Sequence, residues 1–367
     1  MLSAEEFAAW FRLLETPTVG RSTARRLLAA CGSPQAIFAT GFDGLRAIAG
    51  TAAAQALGQL PPGDHALRLA AAQTWLAGGS DRHVLTPGDS NYPPLLLQTA
   101  DPPLLLYVQG SLSCLQQRAL AIVGSRHATA QGLANARAFG AALSQQGLLV
   151  VSGLAQGIDA AAHEGALSGA AGTVAVVGTG LDRVYPPAHR ALAQRIAAQG
   201  ALLSEYAPGT PALPEHFPQR NRIIAGLSLG TLVVEAAVQS GSLITARLAS
   251  EAGREVFAIP GSIHAPQAKG CHALLKQGAK LVETAQDILE ELSPGSGRQV
   301  GLPLEPASDE ASDPLIEALG HDPVTLDALI ARTGCPAPEL MARLMTLELD
   351  GRVARLPGGL YQRLHMG

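Results

Sequence analysis

Arg220 and Arg222 stand two residues apart in the stretch Phe217 to Ala246, FPQRNRIIAGLSLGTLVVEAAVQSGSLITA. Guanidinium groups hold phosphates through a planar fork of N–H donors. In the same stretch an apolar run, Thr231 to Ala236, leads through Ser240-Gly241-Ser242 into a helical pattern. A strand-turn-helix unit of this kind aims backbone N–H groups and the positive end of a helix at an anion. Three further turns of small residues follow apolar runs. They are Gly124-Ser125-Arg126-His127-Ala128-Thr129, Ser152-Gly153-Leu154-Ala155-Gln156-Gly157-Ile158-Asp159, and Gly178-Thr179-Gly180-Leu181-Asp182 leading to Tyr185-Pro186. A glycine at any one of them is explained by sterics alone. Their recurrence, with Arg126, Arg220 and Arg222 nearby, favours a crevice for a row of anions, and a phosphodiester backbone is such a row.

Other chemistries find less support. None of the turns is GxGxxG, and GxxxxGK[ST] and HExxH do not occur; GxSxG occurs at Gly226-Leu227-Ser228-Leu229-Gly230, but there it leads into an apolar run instead of out of one, unlike a nucleophile turn. A dinucleotide cofactor, a P-loop ATPase, a zincin and a serine hydrolase are therefore disfavoured. No cofactor, metal or catalytic residue is expected. Glu235, at a strand end, has the position of a catalytic acid, but a carboxylate there more often caps N–H groups or pairs with an arginine. Asp159 and His163 lie one helical turn apart, which permits acid–base work; a helix N-cap is the simpler role for Asp159.

The elements that must position these residues follow from the apolar rhythm. From Leu120 the runs LAIVG, LLVVSG, TVAVVGTG, ALLSEY, TLVVEAA and EVFAIPG alternate with helical patterns. Strands apolar throughout and separated by helices predict a parallel sheet covered on both faces, a Rossmann-like α/β domain over residues 116–292. In such a sheet, ligands bind beyond the C-terminal strand ends. Residues 1–78 are helical in pattern, and PTVGRSTARRLLAACGSP within them reads as a helix-hairpin-helix (SAM-like) unit with Ala24, Leu27 and Leu28 inward. Residues 79–115 contain Pro93-Pro94 and Pro102-Pro103, which forbid continuous helix, and are read as lead-in strands and turns. Residues 293–312 are rich in Pro, Gly and Ser and form a linker. Residues 313–367 give three short helical patterns and a hairpin at RVARLPGGLYQR, a C-terminal winged helix.

Composition narrows the partners. The chain has 367 residues, 47% of them hydrophobic, a net charge of −4, and four scattered cysteines without a CxxC pair. No apolar run reaches the ~18–20 residues of a membrane span, so no membrane insertion is expected. The start, MLSAEEFAAWFRLLE, carries acids early and reads as an amphipathic helix, not a signal peptide, which points to a cytoplasmic protein with reduced cysteines. Between Arg82 and Glu291, fourteen Arg and Lys face fourteen Asp and Glu. A nucleic-acid site must then be a local patch. Arg126, Arg220, Arg222 and Lys269 form the expected patch, with affinity leaning on assembly along the strand. The third helix of the winged helix carries Glu339, Arg343, Glu348 and Asp350, a poor face for a phosphate-lined groove.

The segments AIVGSRHAT, VVSGLAQGIDAAAH, GTGLDRVYP, SEYAPG, FPQRNRIIAGLS, EAAVQSGSLITA, VFAIPG and LLKQGAKLV, in this order, resemble the DNA-processing protein A (DprA/Smf) family. The resemblance implies a non-enzymatic protein that binds single-stranded DNA and protects it. It further implies loading of the RecA recombinase past single-strand-binding protein in natural transformation, and dimerisation through the Rossmann-like domain. The implied DNA pocket uses Gly124, Ser125, Arg126 and Thr129, then Gly153, Gln156, Gly157, Ile158 and Asp159. It continues through Phe217, Arg220, Asn221 and Arg222 to Ser240, Gly241 and Ser242, with Lys269 nearby. A second family of Rossmann-like folds, the nucleoside monophosphate phosphoribohydrolases, resembles the chain at Gly230-Thr231 and Glu235. Its PGGxGTxxE pattern lacks its double glycine here, and the acid sits four residues past the threonine instead of three.

Overall fold

The computed structural model describes residues 2–61, 63–293, 313–320 and 322–364. The expected linker, from residue 294 onward, lies outside the described residues, as do residues 365–367.

Strands without a polar face must be covered on both sides. That requirement builds the centre of the molecule. Nine strands form one sheet in the order β1-β2-β6-β5-β4-β3-β7-β8-β9. They are β1 (Arg82–Leu85), β2 (Leu106–Gly110), β3 (Ala119–Val123), β4 (Leu149–Ser152), β5 (Thr173–Val176), β6 (Ala201–Ser204), β7 (Gly230–Val233), β8 (Glu255–Ala258) and β9 (Lys280–Leu281). From β6 to β9 all neighbours are parallel. Alternate residues of β3 serve opposite faces. Leu120 and Ile122 pack with Ala136, Phe139 and Leu143 of the helix Ala130–Gln145. Ala121 and Val123 pack with Ile223 and Ile224 of the helix His216–Gly226 and Ala246 of the helix Gly241–Glu251.

The sheet is wider than the rhythm of apolar runs suggests. β2 pairs antiparallel with β6, Tyr107 opposite Ser204, and β1 pairs antiparallel with β2. These two strands extend the sheet into residues read from sequence as a lead-in, because the prolines that flank them hide their alternation. The strand at residues 231–236 is also shorter than its apolar pattern: it ends at Val233, and Glu235 and Ala236 already belong to the loop.

The N-terminal helices Ala4–Glu15 and His65–Ala77 bring Phe7, Phe11 and Trp75 against Tyr107 and Leu105 beside β2. The remaining N-terminal helices pack around Leu27, Ile37, Leu45 and Leu57, with Leu13 of the helix Ala4–Glu15 in the same small core. In the helix Arg21–Cys31, Ala24 and Leu27 are buried and Leu28 is half-buried. The C-terminal unit has the helices Pro314–Leu319, Leu326–Thr333 and Ala337–Leu349 and a three-stranded sheet. Its strands, β10 (Val324–Thr325), β11 (Val353–Leu356) and β12 (Leu360–Arg363), run in the order β10-β12-β11 around Leu315, Leu329, Leu340 and Tyr361. This is the winged helix. Among the described residues, no helix is long and apolar enough to cross a membrane.

Candidate nucleic-acid interface

The strand order reverses between β3 and β7: after β3 the chain winds through β4, β5 and β6, then returns to the other side of β3. Loops leaving the C-terminal ends of strands at such a reversal diverge and leave a crevice. Here the crevice has a volume of about 590 Å³.

Its walls are tied together by backbone bonds. The Ser125 N–H donates to the Glu235 carbonyl at 2.8 Å, and the Ser125 carbonyl accepts from Ile158 N–H at 3.2 Å. The loop after β3 is thus fastened to the loops after β7 and β4. Gly157 has φ +80°, and a Cβ there would lie 2.3 Å from the Ser125 oxygen. Only glycine permits that approach.

The loop after β4 is shaped from inside. Asp159 accepts from Gly153 N–H at 3.2 Å and Ala155 N–H at 3.3 Å. It therefore holds the loop that precedes its helix, a different role from the N-cap suggested by its position. His163 accepts from Leu154 N–H through Nε2 at 3.3 Å. Thr173 Oγ1 gives its proton to the Val150 carbonyl, so His163 Nδ1 donates to Thr173 at 2.7 Å and the imidazole is neutral. Burial, with Arg220 and His189 nearby, pushes His163 down to about 3. An unfolded histidine titrates near 6.5, so between the two values the unfolded chain binds the extra proton. Stability from this group is therefore complete above pH 6.5 and is lost as pH falls toward 3. Urea midpoints measured from pH 7 to 4 should fall more steeply for the native chain than for His163→Gln.

Arg220 forms the floor of the crevice. It is 4% exposed and donates from Nη1 to the Val176 carbonyl at 2.6 Å. Its Nη2 lies 4.0 Å from Asp159 Oδ2, and its buried Nε has no partner among the described residues. Burial lowers Arg220 to about 10, so it stays cationic at neutral pH, while burial raises Asp159 despite the arginine beside it. Gly153 lies beneath the guanidinium: a Cβ there would come 1.7 Å from Arg220 Nη1. At the rim Arg126 is exposed, its Cζ 5.7 Å from the centre of the Phe217 ring. The far wall is the start of the helix Gly241–Glu251, where Ser240 accepts from Ser242 N–H at 3.3 Å and Asn221 donates to the Gly241 carbonyl at 3.3 Å. The crevice thus offers one buried cation, one exposed cation and a helix N-terminus.

Gly124, Ser125, Arg126, Asp159, Phe217, Arg220, Asn221, Ser240, Gly241 and Ser242 are brought together along its walls. The other expected residues are not. Thr129 is consumed: it donates from Oγ1 and N to the two Glu235 oxygens, at 2.5 and 3.0 Å, and caps the helix Ala130–Gln145. Glu235 is therefore a tie between β7 and that helix. Gly153 and Gly157 shape the backbone beneath the walls, Ile158 is a core side chain, and Gln156 is exposed away from the lining. Lys269 starts the helix Lys269–Lys276 and is not among the lining residues. Tyr185 and His127, which belong to the small-residue turns but not to the expected pocket, and Gln239, which belongs to neither, also line it. The aromatic Tyr185 directly after a glycine turn was the available signal. A second concavity, about 630 Å³, opens between the helices Gly241–Glu251 and Lys269–Lys276. It is lined by Arg247, which pairs with Glu251, and Arg254, which donates to the Leu95 carbonyl and to Gln98; Arg126 and Arg220 line the first.

Arg222 is the main departure from expectation. In a helix of 3.6 residues per turn, residues two apart point about 200° apart. Arg220 and Arg222 share the helix His216–Gly226, so when one enters the crevice the other must leave it. Arg222 is bonded to both Glu205 oxygens at 2.5 Å, and its Nε lies 3.0 Å from Asp101. Arg21 reaches the same two carboxylates at 3.1 and 3.2 Å, and Arg25 pairs with Asp101. Three arginines and two acids thus fasten the N-terminal helices to the core. Arg222→Ala should leave single-strand affinity within about twofold. It should destabilise by somewhat less than the roughly 3–5 kcal/mol of a fully buried broken pair, because the Arg222 side chain keeps 13% exposure. Limited proteolysis should cut first within residues 1–78, where the native chain resists.

The sequence profile of the DNA recombination-mediator protein A family matches residues 83–293, and that of the DprA winged helix domain matches residues 302–359. Protein Smf of Escherichia coli is 46% identical over 291 residues, 77% of this chain and 78% of that one. The DNA processing protein DprA of Streptococcus pneumoniae is 49% identical over 203 residues, 55% of this chain and 72% of that one. Its solved structure superposes with a TM-score of 0.68 at 36% identity, covering 78% of this chain and 98% of that one. DNA processing protein A from Helicobacter pylori, solved to describe its single-stranded DNA binding mode, superposes with a TM-score of 0.53 at 30% identity, covering 57% and 95%.

Proposed function

The chain belongs to the DNA recombination-mediator protein A family, DprA or Smf, and from that premise we propose that it holds single-stranded DNA in the crevice between β3 and β7. The observation that carries this reading is the pairing of Arg220, buried and cationic on the floor, with Arg126 exposed at the rim beside a helix N-terminus. A phosphate loses its hydration on entering such a site and recovers charge-assisted hydrogen bonds. The domain is otherwise charge-balanced, so few phosphates are neutralised per protomer. Useful affinity then requires assembly of several protomers along one strand.

In this reading the protein protects a single strand and delivers it to RecA in the presence of single-strand-binding protein, during natural transformation. It acts as a homodimer in the cytoplasm and without catalytic turnover. The winged helix is not given the strand-binding role: its third helix turns Glu339, Met341, Met345 and Leu349 outward. The competing reading, a phosphoribohydrolase, requires Glu235 as an acid. Both oxygens of Glu235 are engaged with Thr129, which favours binding over turnover. Free base released from a nucleoside monophosphate, and lost in Glu235→Gln, would reverse that preference.

Gel shifts with single-stranded and duplex DNA of one length test the proposal, followed by RecA strand exchange on DNA coated with single-strand-binding protein. Preference for the single strand and a shortened exchange lag are expected. Equal affinity for the duplex, or no effect on the lag, contradicts it.

A further inference from the structure

The helix His216–Gly226 supplies Phe217, Arg220, Asn221 and Ile224 to the crevice, yet its first turn lacks the fastening of its neighbours. The helices Ala130–Gln145 and Gly241–Glu251 are capped by the side chains of Thr129 and Ser240. Glu215, at the N-cap of His216–Gly226, makes no side-chain bond to that helix. An uncapped helix start leaves backbone donors without intrahelical partners and frays.

Tyr206, two residues past β6, fastens this turn from outside. Its ring lies on the His216 imidazole, with centres 3.8 Å apart and planes 18° from parallel. Its hydroxyl donates to Gln219 Oε1 at 3.0 Å, and burial pushes that hydroxyl up to about 12, so it keeps the proton it donates. His216 and Gln219, three residues apart, share one side of the helix, and the crevice residues lie about a third of a turn round from it. Tyr206 itself is held. Its N–H donates to Ser204 Oγ at 3.0 Å, and that hydroxyl donates to the Thr179 carbonyl at 2.6 Å. The preceding Glu205 is held by Arg21 and Arg222. His216 is tied as well, its Nδ1 donating to the Gly178 carbonyl at 3.1 Å.

We propose that Tyr206 is a positioning residue for strand binding: stacked on His216, it holds the first helical turn where the Phe217 ring supports Arg126. The inference rests on the single-strand reading above. Tyr206 is not among the residues that line the crevice, so it acts through others. The Arg126 Cζ lies 5.7 Å from the centre of the Phe217 ring, and among the described residues Arg126 makes no ion pair. The ring is therefore its restraint. A rim cation without one must be ordered when it meets a phosphate, and that ordering weakens binding.

The test uses the full chain and an end-labelled thymidylate oligomer, read by fluorescence anisotropy at several salt concentrations. Tyr206→Leu keeps apolar bulk but cannot stack, and Tyr206→Phe keeps the ring. Tyr206→Leu should bind about fivefold more weakly, somewhat less than the loss expected of Arg126→Ala, and its slope of log K against log salt should become shallower. Tyr206→Phe should bind as the native chain does. His216→Leu, which removes the other ring of the stack, should repeat the effects of Tyr206→Leu. Arg126→Ala combined with Tyr206→Leu should bind no more weakly than Arg126→Ala alone, because nothing is then left to position. Without DNA, the amides of the first turn should exchange with solvent faster in Tyr206→Leu than in the native chain. Losses that multiply in the double variant, or Tyr206→Phe binding as weakly as Tyr206→Leu, overturn the proposal. Should the native chain not bind the oligomer, the single-strand reading falls and the proposal with it. Should it bind while Tyr206→Leu leaves affinity and exchange unchanged, only the positioning role falls.

Discussion

Arg220→Ala should lower the free energy of unfolding by about 3–5 kcal/mol, read as a shifted urea midpoint at an unchanged slope. The guanidinium is buried with its best donor on the Val176 carbonyl and its charge beside Asp159. Truncation leaves that carbonyl unpaired, leaves Asp159 without its neighbouring cation, and opens a cavity above Gly153. Each of these is costly because the groups left behind are buried and lose a charge-assisted partner. Single-strand binding should be lost as well, but as part of a crevice that no longer holds its shape. Gly153→Ala approaches the same result from below, since its methyl group would overlap Arg220 Nη1. An Arg220→Ala chain that unfolds at the native urea concentration contradicts the role of Arg220 as the floor.

Arg126→Ala should do the opposite. Arg126 is exposed at the rim and makes no ion pair among the described residues, so its loss should leave the unfolding midpoint in place. Single-strand affinity should fall roughly tenfold, the worth of a charge-assisted phosphate contact, and by the same factor on every sequence. The slope of log K against log salt should become shallower by about 0.7, one phosphate fewer on a single strand. Fluorescence anisotropy at three salt concentrations reads both quantities. A loss confined to particular sequences, or an unchanged slope, would place Arg126 outside the phosphate path. Together the two arginines separate stability from recognition.

What the sequence disclosed and what it hid have physical reasons. The six runs from LAIVG to EVFAIPG were legible as strands because both faces of each are buried, so no polar alternation obscures them. Strands were expected within residues 79–115, but their place in the main sheet was hidden by prolines at 93–94 and 102–103 and by a run of leucines that fits neither period. The turns at Gly124 and Ser240 were legible as crevice walls because each follows a strand and opens a helix. Spacing along the chain does not tell which side of a helix a residue takes until the helix itself is recognised. Arg222, adjacent in sequence to the crevice arginine, is therefore found at the junction with the N-terminal helices. Nor does a small-residue turn say which of its residues face the ligand: Gly153, Gly157 and Ile158 hold the wall from behind, and Ala155 and Asp159 reach the lining. Lys269 was grouped with the patch by charge alone, and charge carries no information about place.

The central claim is that single-stranded DNA runs through the crevice between β3 and β7. Photocrosslinking with a strand carrying 5-iodouridine, followed by mass spectrometry of the linked peptides, reads that path most directly. The account predicts adducts on the aromatic residues of the crevice, Tyr185 and Phe217, that disappear under excess unlabelled single strand. Adducts confined to the N-terminal helices or to the winged helix, with the crevice peptides unmodified, would contradict it.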